Sequence, residues 1–203
     1  MKKRIILIRH GKTKGNLLHK YIGQKSDESL CSEGIEEIKN QKALIRSYFT
    51  KEPVIISSPL KRCRETASLL FDKEPDGILD ELKEIDFGVF EGKDYKELSG
   101  KDYYQKWIDS NGRTPIPMGE DRESFTERSY NGFLKALLYS QGDTHVCIIC
   151  HGGNIMSVMM KLTGRDYYDF HVKNLEGYVL EINEDNGVID LISYNCINLG
   201  CDT

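Results

Sequence analysis

The 203-residue sequence contains no apolar run that approaches the length of about 20 residues that a membrane-spanning helix needs. It has no excess of basic residues either, because 28 Lys and Arg face 32 Asp and Glu and the formal net charge is −4. This balance argues against a general nucleic-acid or membrane-surface binder, which would carry a basic face. Internal repeats and low-complexity linkers are absent, so we expect a single domain over residues 1–203 whose partner is a small molecule.

A secretory signal is also lacking, because the first residues have the pattern of a strand. The six cysteines are therefore expected to be reduced thiols in a cytoplasmic protein. Cys147 and Cys150 form a C-x-x-C motif beside His151, and no second such motif exists. The motif lies in an apolar run typical of a strand, where residues three apart face opposite sides and cannot share a zinc ion. We expect both thiols to be buried, and the protein to need no metal and no cofactor.

Three apolar runs predict buried strands: Arg4–Ile8, Pro53–Ser57 and Val146–Cys150. Helical patterns separate them, which is typical of a three-layer α/β/α fold with a mostly parallel central sheet. Later in the chain, Gly177–Ile182 and Val188–Tyr194 flank an Asn-Gly pair. This pattern predicts an antiparallel hairpin at the edge of the sheet.

Apolar periodicity and start signals predict helices around this sheet. They are Glu33–Phe49 capped by Ser32, Ser58-Pro59 to about Phe71, Ser124 to about Ser140 with a capping box, and the stretch after Gly153 to about Leu162 before Gly164. Two polar, glycine-bearing segments, about residues 14–30 and 84–123, are expected to cover the carboxyl ends of the strands. We call these two segments the cap.

Each of the three apolar strands runs directly into residues that suit phosphate binding. These residues are Arg9-His10-Gly11, Ser57-Ser58-Pro59-Leu60-Lys61-Arg62 and His151-Gly152-Gly153-Asn154. One Arg-His pair alone would fit a surface loop, but the ends of parallel strands meet at one edge of the sheet. Two histidines, two arginines and a helix N-terminus would then face one volume. Helix N-termini and arginine forks both bind phosphate oxygens, so the sequence predicts a phosphoryl site.

The reaction follows from a histidine in a cationic pocket, where the protonated ring is disfavoured. Its free nitrogen can attack phosphorus and form a phosphohistidine. The second histidine and the arginines can stabilise the oxygens of the phosphoryl group while it is transferred. A leaving alcohol also needs a proton from a general acid. The spacing of the residues does not choose that acid, because the cap holds many carboxylates.

Four groups of residues, in chain order, carry a resemblance to a known family. They are Arg9-His10-Gly11-Lys12-Thr13 with Asn16, Ser58-Pro59-Leu60 with Arg62 and Thr66-Ala67, Glu84-Ile85-Asp86-Phe87-Gly88 with Glu91-Gly92, and His151-Gly152-Gly153. With these motifs the sequence resembles the histidine phosphatase superfamily, in its phosphoglycerate mutase-like branch. Each motif is weak alone, but together and in this order they are highly specific. The resemblance implies a phosphoglycerate mutase-like fold.

The resemblance also implies a role for each site residue. The nucleophile would be His10; the phosphoryl oxygens would be held by Arg9, Arg62, His151, the Gly152 N–H and Asn16; and the leaving group would be protonated by Glu84, which later activates water. Without the motifs, Glu84 would pass for a solvated loop acid and Arg62 for a residue on a helix surface.

Within this family, the short chain favours hydrolysis, because the mutases carry a larger insertion after the acid motif and a C-terminal tail over the site. The following residues are similar to α-ribazole phosphatases, which act on α-ribazole 5′-phosphate: Gly15-Asn16, Tyr21-Ile22-Gly23, Asp27, Leu30 and Glu33-Gly34. Gly23 would then help to bind the substrate. The segment Pro117-Met118-Gly119-Glu120 stands where the family has Gly-Gly-Glu-Ser. It lacks the first glycine and the serine, so the role of Glu120 stays open.

Two other functions stay open: a cofactor-dependent phosphoglycerate mutase, and a non-catalytic module that binds a phosphate ligand. The joint presence of His10, Glu84 and His151 argues against the second. The expected partner is a small phosphorylated metabolite, and a homodimer is neither predicted nor excluded. Aromatic residues in the cap either stack on a substrate ring or form a core of the cap, which is the more common arrangement. They are Tyr95, Tyr103, Tyr104 and Trp107.

Overall fold

A computed structural model describes residues 1–140, 144–185, 188–197 and 199. Its central sheet has the strand order β3-β2-β4-β1-β5-β6. The strands are β1 (Lys2–Arg9), β2 (Val54–Ser57), β3 (Gly77–Ile78), β4 (His145–Cys150), β5 (Gly177–Asp185) and β6 (Val188–Ile197). The first four strands of that order pair in parallel, whereas β5 runs antiparallel to both β1 and β6. This confirms the mostly parallel sheet.

The hairpin predicted at the sheet edge is the β5–β6 pair, and its Asn186-Gly187 turn lies outside the described residues. Strand β3 was not predicted from the sequence, since two residues are too few to show an apolar pattern. It pairs with the end of β2 and forms the other edge of the sheet.

The described residues contain seven α-helices. They are α1 (Lys14–Leu17), α2 (Ser32–Ser47), α3 (Lys61–Phe71), α4 (Tyr95–Leu98), α5 (Asp102–Asp109), α6 (Arg122–Leu138) and α7 (Gly152–Thr163). Helices α2 and α3 pack on the face of β1 that carries Ile6 and Ile8. Helices α6 and α7 pack on the face that carries Ile5 and Leu7. The two apolar clusters lie on opposite faces of the sheet, so the helices form an outer layer on each side of it. No described helix is long and apolar enough to span a membrane.

Three predicted helix starts are wrong, because other residues cap two of the helices and the third has no side-chain cap. The side chain of Cys31, not Ser32, accepts the Gly34 N–H of α2. Helix α3 follows Leu60 without a side-chain cap, so Ser58-Pro59 lies before the helix. Helix α6 starts after Asp121, whose carboxylate accepts the N–H of Ser124. An acidic residue three positions upstream offers the same bond with a full charge, which also suits the helix dipole.

A third apolar cluster joins the second cap segment to Phe125 of α6 and is separate from the two clusters of the sheet; we call it the cap cluster. Its buried residues are Ile85, Phe90, Leu98, Tyr104, Ile116 and Phe125. Tyr21, from the first cap segment, packs against it and so joins the two segments. In β4, Cys147 and Cys150 belong to the clusters on opposite faces of the sheet. They therefore have the arrangement expected of two core residues three positions apart in a strand.

Candidate active site

A cavity of about 300 Å³ opens at the carboxyl ends of β1 and β4. Five of the predicted site residues line it: Arg9, His10, Asn16, Glu84 and Gly152. The other three do not. Arg62 and His151 are fully buried beside His10, and Gly23 lies behind Arg62. The structure therefore brings all the predicted residues together, with three of them in a layer behind the cavity wall.

His10 presents a free ring nitrogen. Its Nδ1 lies 2.7 Å from the carbonyl oxygen of Gly11, which can only accept a hydrogen bond. Nδ1 therefore carries the proton, and the lone pair is on Nε2. Burial, followed by the nearby Arg62 and Arg9, lowers the pKa of His10 well below 6.5. The ring is thus neutral at physiological pH, which is the form that can attack phosphorus.

His151 has the opposite tautomer. The Arg62 Nε donates to its Nδ1 at 3.3 Å, so Nε2 carries the proton and lies 2.9 Å from the Ser58 hydroxyl. Its ring meets His10 edge-on, with centroids 5.1 Å apart. Burial and the Arg62 charge lower the pKa of His151 well below its usual value. Two neutral histidines therefore stand side by side.

Arg62 is held by the first cap segment. Its Nη1 and Nη2 donate to the carbonyls of Ser26 and Gly23 at 2.7 and 3.0 Å. The N–H of Gly23 is in turn donated to Glu91 at 2.8 Å, so Gly23 here orients Arg62 rather than facing the cavity. A Cβ at Gly23 would collide with the Ile85 carbonyl oxygen, which explains a glycine at this position.

Arg9 has capacity for an anion. Its Nη1 donates to the Val172 carbonyl at 2.8 Å, while its buried Nε has no acceptor among the described residues. A buried N–H without an acceptor is costly. Gly152 begins α7 next to this guanidinium, and the first N–H groups of a helix lack intrahelical acceptors. The two residues together offer charge and donors to a phosphoryl group.

Glu84 is nine-tenths buried, and burial raises the pKa of its carboxyl. Its Oε1 accepts the Ile85 N–H at 2.9 Å, and its Oε2 accepts the Gly153 N–H at 3.4 Å. A Cβ at Gly153 would overlap Oε1 and lie 2.8 Å from the Phe125 ring. The carboxyl is therefore fixed against the start of α7, and its raised pKa favours a proton donor.

The cavity is thus surrounded by a neutral histidine with a free ring nitrogen, an arginine with an N–H that is unpaired among the described residues, a helix N-terminus and a buried carboxyl with a raised pKa, and a second arginine lies behind its wall. The profile of the histidine phosphatase superfamily (branch 1) matches residues 5–195. The chain belongs to the histidine phosphatase superfamily.

Relatives of this histidine phosphatase have several activities. An adenosylcobalamin/α-ribazole phosphatase of Escherichia coli is 28% identical over 165 residues, covering 79% of each chain. A 2,3-bisphosphoglycerate-dependent phosphoglycerate mutase of Methylorubrum extorquens is 25% identical and covers 81% of each chain. A phosphoserine phosphatase of Entamoeba histolytica, solved with 3-phosphoglyceric acid, is 29% identical with a TM-score of 0.76, covering 95% of this chain and 96% of that one. The family and these relatives identify the chain as a phosphatase.

Two asparagines of the phosphatase hold the loops around His10. The Oδ1 of Asn16 accepts from the Thr13 N–H at 3.0 Å and from the Asn174 amide at 3.3 Å, which leaves its own amide to donate into the cavity. Asn174 also donates to the His10 carbonyl at 2.8 Å. It precedes β5, far from His10 in sequence, so no local pattern could have indicated it.

Arg128 on α6 was also missed. It donates to the carbonyls of Glu81, Lys83 and Glu84 at 2.9, 2.9 and 3.4 Å. The carboxylate of Glu120 braces it with two bonds of 2.9 and 2.7 Å. Glu120 thus does not line the cavity, and its contact is with the arginine that holds the backbone of the acid motif. Glu120 lies before the start of α6 and Arg128 lies within that helix. Their sequence spacing therefore does not predict the contact, which depends on the fold.

The four aromatic residues singled out in the cap have different surroundings. Tyr104 is buried in the cap cluster, Tyr103 packs against that cluster, and Tyr95 is 65% exposed. Of the four predicted aromatics only Trp107 lines the cavity. The arrangement as a core of the cap is thus confirmed for Tyr103 and Tyr104. Other aromatic residues that line the cavity were not singled out as ring-stacking candidates: Tyr21, Phe87, Tyr167 and Tyr168.

Proposed function

We propose that this phosphatase hydrolyses phosphomonoesters without a metal, through a phosphohistidine at His10. The observation that carries the proposal is the free Nε2 of a neutral His10, held in the same cavity as a buried Glu84 with a raised pKa. Burial thus shifts both groups towards the protonation state that the first step requires.

In the first step, Nε2 attacks phosphorus, the bond from phosphorus to the ester oxygen breaks, and Glu84 gives its proton to the departing alkoxide. Arg9, Asn16 and the Gly152 N–H stabilise the phosphoryl oxygens from the cavity wall, while Arg62 and His151 support them from the layer behind it. In the second step, the Glu84 carboxylate takes a proton from water, the water oxygen attacks phosphorus, and inorganic phosphate leaves. The N–P bond breaks, which restores His10 and Glu84.

The substrate that we propose is α-ribazole 5′-phosphate, a small phosphorylated metabolite. Its support is the motif around Gly23 and the α-ribazole phosphatases among the relatives. Phosphoglycerate mutases among the relatives support a second candidate, the 2,3-bisphosphoglycerate-dependent mutase reaction. A cytoplasmic location belongs to the same proposal, and cell fractionation tests it.

Trapping the intermediate tests the mechanism. We expect wild type with ³²P-labelled ester to yield a protein label that is stable in alkali and lost in acid, and His10→Ala to lose both the label and turnover, by about 10⁴-fold or more. His19→Asn is the matched control, since His19 is exposed with φ of 52° and Asn tolerates that conformation. A label that persists in His10→Ala would contradict the nucleophile.

A panel of phosphate esters in chelator separates the candidates. It contains α-ribazole 5′-phosphate, 3-phosphoglycerate, phosphoserine and p-nitrophenyl phosphate, with a mutase assay in the presence of 2,3-bisphosphoglycerate. The highest kcat/KM is expected for α-ribazole 5′-phosphate. Isomerisation faster than hydrolysis would favour the mutase, and activity that is lost in chelator and restored by metal would contradict the metal-free reaction.

A further inference from the structure

The cavity that holds His10 and Glu84 also has an aromatic surface. Tyr21, Phe87 and Trp107 reach it from the cap, and Tyr168 reaches it from the turn Tyr167–Phe170 after α7. We call these four side chains the aromatic wall. None of the four belongs to the motifs that are expected to hold the phosphoryl group. Phe87 belongs to the acid motif that begins at Glu84.

The hydroxyl groups of the wall are already paired. The Tyr21 hydroxyl lies 2.7 Å from that of Tyr104, and Tyr168 bonds to Arg122. The neighbouring Tyr167 donates to the Gly153 carbonyl at 3.4 Å. A sugar or hydroxy acid would therefore find few free polar partners on this surface, whereas a flat apolar group would find ring faces and edges.

The wall is also rigid before a ligand binds. The Tyr21 ring crosses Phe87 at 5.1 Å and Trp107 at 5.9 Å, both edge-to-face. Trp107 is stacked on the buried Tyr104 at 6.1 Å with an interplanar angle of 20°, while part of it still faces the cavity. Side chains that are held in this way lose little conformational freedom on binding.

Resting on the proposed function, we propose that the aromatic wall is a subsite for a planar aromatic ring in the leaving group of the substrate. The alternative is a carboxylate, which Lys20, Arg122 or His171 on the same cavity could attract. Arg122 is already engaged, because it donates to the Asn111 carbonyl at 2.9 Å and lies over the Tyr167 ring. Lys20 and His171 remain as candidate partners of a carboxylate, and a preference for carboxylate-bearing esters is the result that would favour them.

Matched esters test this inference without a difference in leaving-group chemistry. Benzyl phosphate and cyclohexylmethyl phosphate release alcohols of similar size and acidity, but only the first is planar. We expect kcat/KM to favour benzyl phosphate by about tenfold. Trp107→Ala should remove that preference, mainly by raising the KM for benzyl phosphate, and Trp107→Phe should restore most of it.

Tyr103→Ala is the matched control for the fold of the cap. Tyr103 lies on the same helix and stacks on Phe90 at 6.0 Å, but it does not line the cavity. It should keep the preference for the planar ester. Equal kcat/KM for the two esters in wild type, or a preference for 3-phosphoglycerate or phosphoserine over benzyl phosphate, overturns the aromatic subsite and leaves the proposed function standing. No turnover of any ester and no phosphohistidine would overturn the proposed function, and this inference with it.

Discussion

At the scale of single residues, burial decides the protonation states. His10 and Glu84 are both removed from water, and burial has opposite consequences for them because it disfavours whichever form is charged. It lowers the pKa of His10 and raises that of Glu84. The same physical cause thus favours an uncharged imidazole and an uncharged carboxyl in one cavity, as a base and an acid require.

Glu84→Gln tests the acid. We expect kcat/KM for methyl phosphate to fall by about 10²–10⁴-fold, because the alkoxide loses its proton donor. The value for p-nitrophenyl phosphate should fall by less than about tenfold, since its leaving group needs no proton. Steady-state assays of both esters give the ratio, and kcat/KM reports only the steps up to alcohol release. Equal losses for the two esters would assign Glu84 a structural role instead.

Arg128 acts through Glu84, and Arg128→Lys tests that role. Lysine keeps the charge but cannot donate to three carbonyls and Glu120 together. The acid motif should shift, and kcat/KM for methyl phosphate should fall by about 10–100-fold, with a smaller loss for p-nitrophenyl phosphate. Lys135→Ala is the control, because Lys135 lies on the same helix and pairs with the side chain of Glu81 at the surface. A uniform loss across both esters would sink the positioning role.

At the scale of secondary structure, the start of α7 combines two glycines with different tolerance. A Cβ at Gly152 would meet Arg9 at ordinary distances of 3.6–3.7 Å. At Gly153 it would overlap Glu84 and press on Phe125. We expect Gly153→Ala to lower the free energy of unfolding by about 1–3 kcal/mol through overpacking, and Gly152→Ala not to lower it. Urea unfolding compares the two, and equal stabilities would refute the steric account.

The sequence predicts strands well, because apolar patterns determine them. It predicts helix starts poorly, because a single capping hydrogen bond can determine them. Strands β1, β2 and β4 contain continuous apolar runs, and these runs allow the sequence alone to predict them. The predicted caps of α2 and α6 were wrong because a serine and a nearby thiol or acid both suit the cap position. Asp121 takes the bond from the N–H of Ser124, the very residue expected to be the cap. Sequence pattern alone does not settle such a competition.

At the scale of the whole molecule, the rule that parallel strands end at one edge predicted the convergence of Arg9, His10, Arg62 and His151. It could not predict the supports. Asn174 and Arg128 act on residues far away in sequence, and their partners are backbone carbonyls, which carry no sequence signal. The depth of Arg62 and His151 behind the cavity wall likewise follows from packing.

The buried histidines make stability depend on pH. Because the pKa values of His10 and His151 are lowered well below 6.5, the unfolded chain binds more protons below about pH 6.5. Each histidine should therefore cost about 1.4 kcal/mol of unfolding free energy per pH unit as pH falls. Glu84, with a raised pKa, opposes this, since its contribution is lost as pH rises above its unfolded value.

A comparison of wild type with a His10 variant gives the contribution of this one histidine to the pH dependence of the unfolding free energy. Urea unfolding of wild type and His10→Ala should give a slope that is shallower in the variant by about 0.7 kcal/mol per pH unit near pH 6.5, rising to about 1.3 near pH 5. Identical slopes would mean that His10 is protonated in the folded protein, contrary to its assigned state.

The three separate apolar clusters bear on how such a chain changes over generations. The two clusters of the sheet hold the strands whose ends carry His10 and His151, whereas Tyr21, Phe87 and Trp107 pack on the cluster of the cap. We expect mutations on the side of the cap cluster that faces Tyr21, Phe87 and Trp107 to leave the packing beneath His10 and His151 intact, so that substrate preference can drift while these two histidines stay in place. Descendants of one ancestor can thereby acquire new substrates by changes in the cap while they inherit His10 and its supporting strand unaltered.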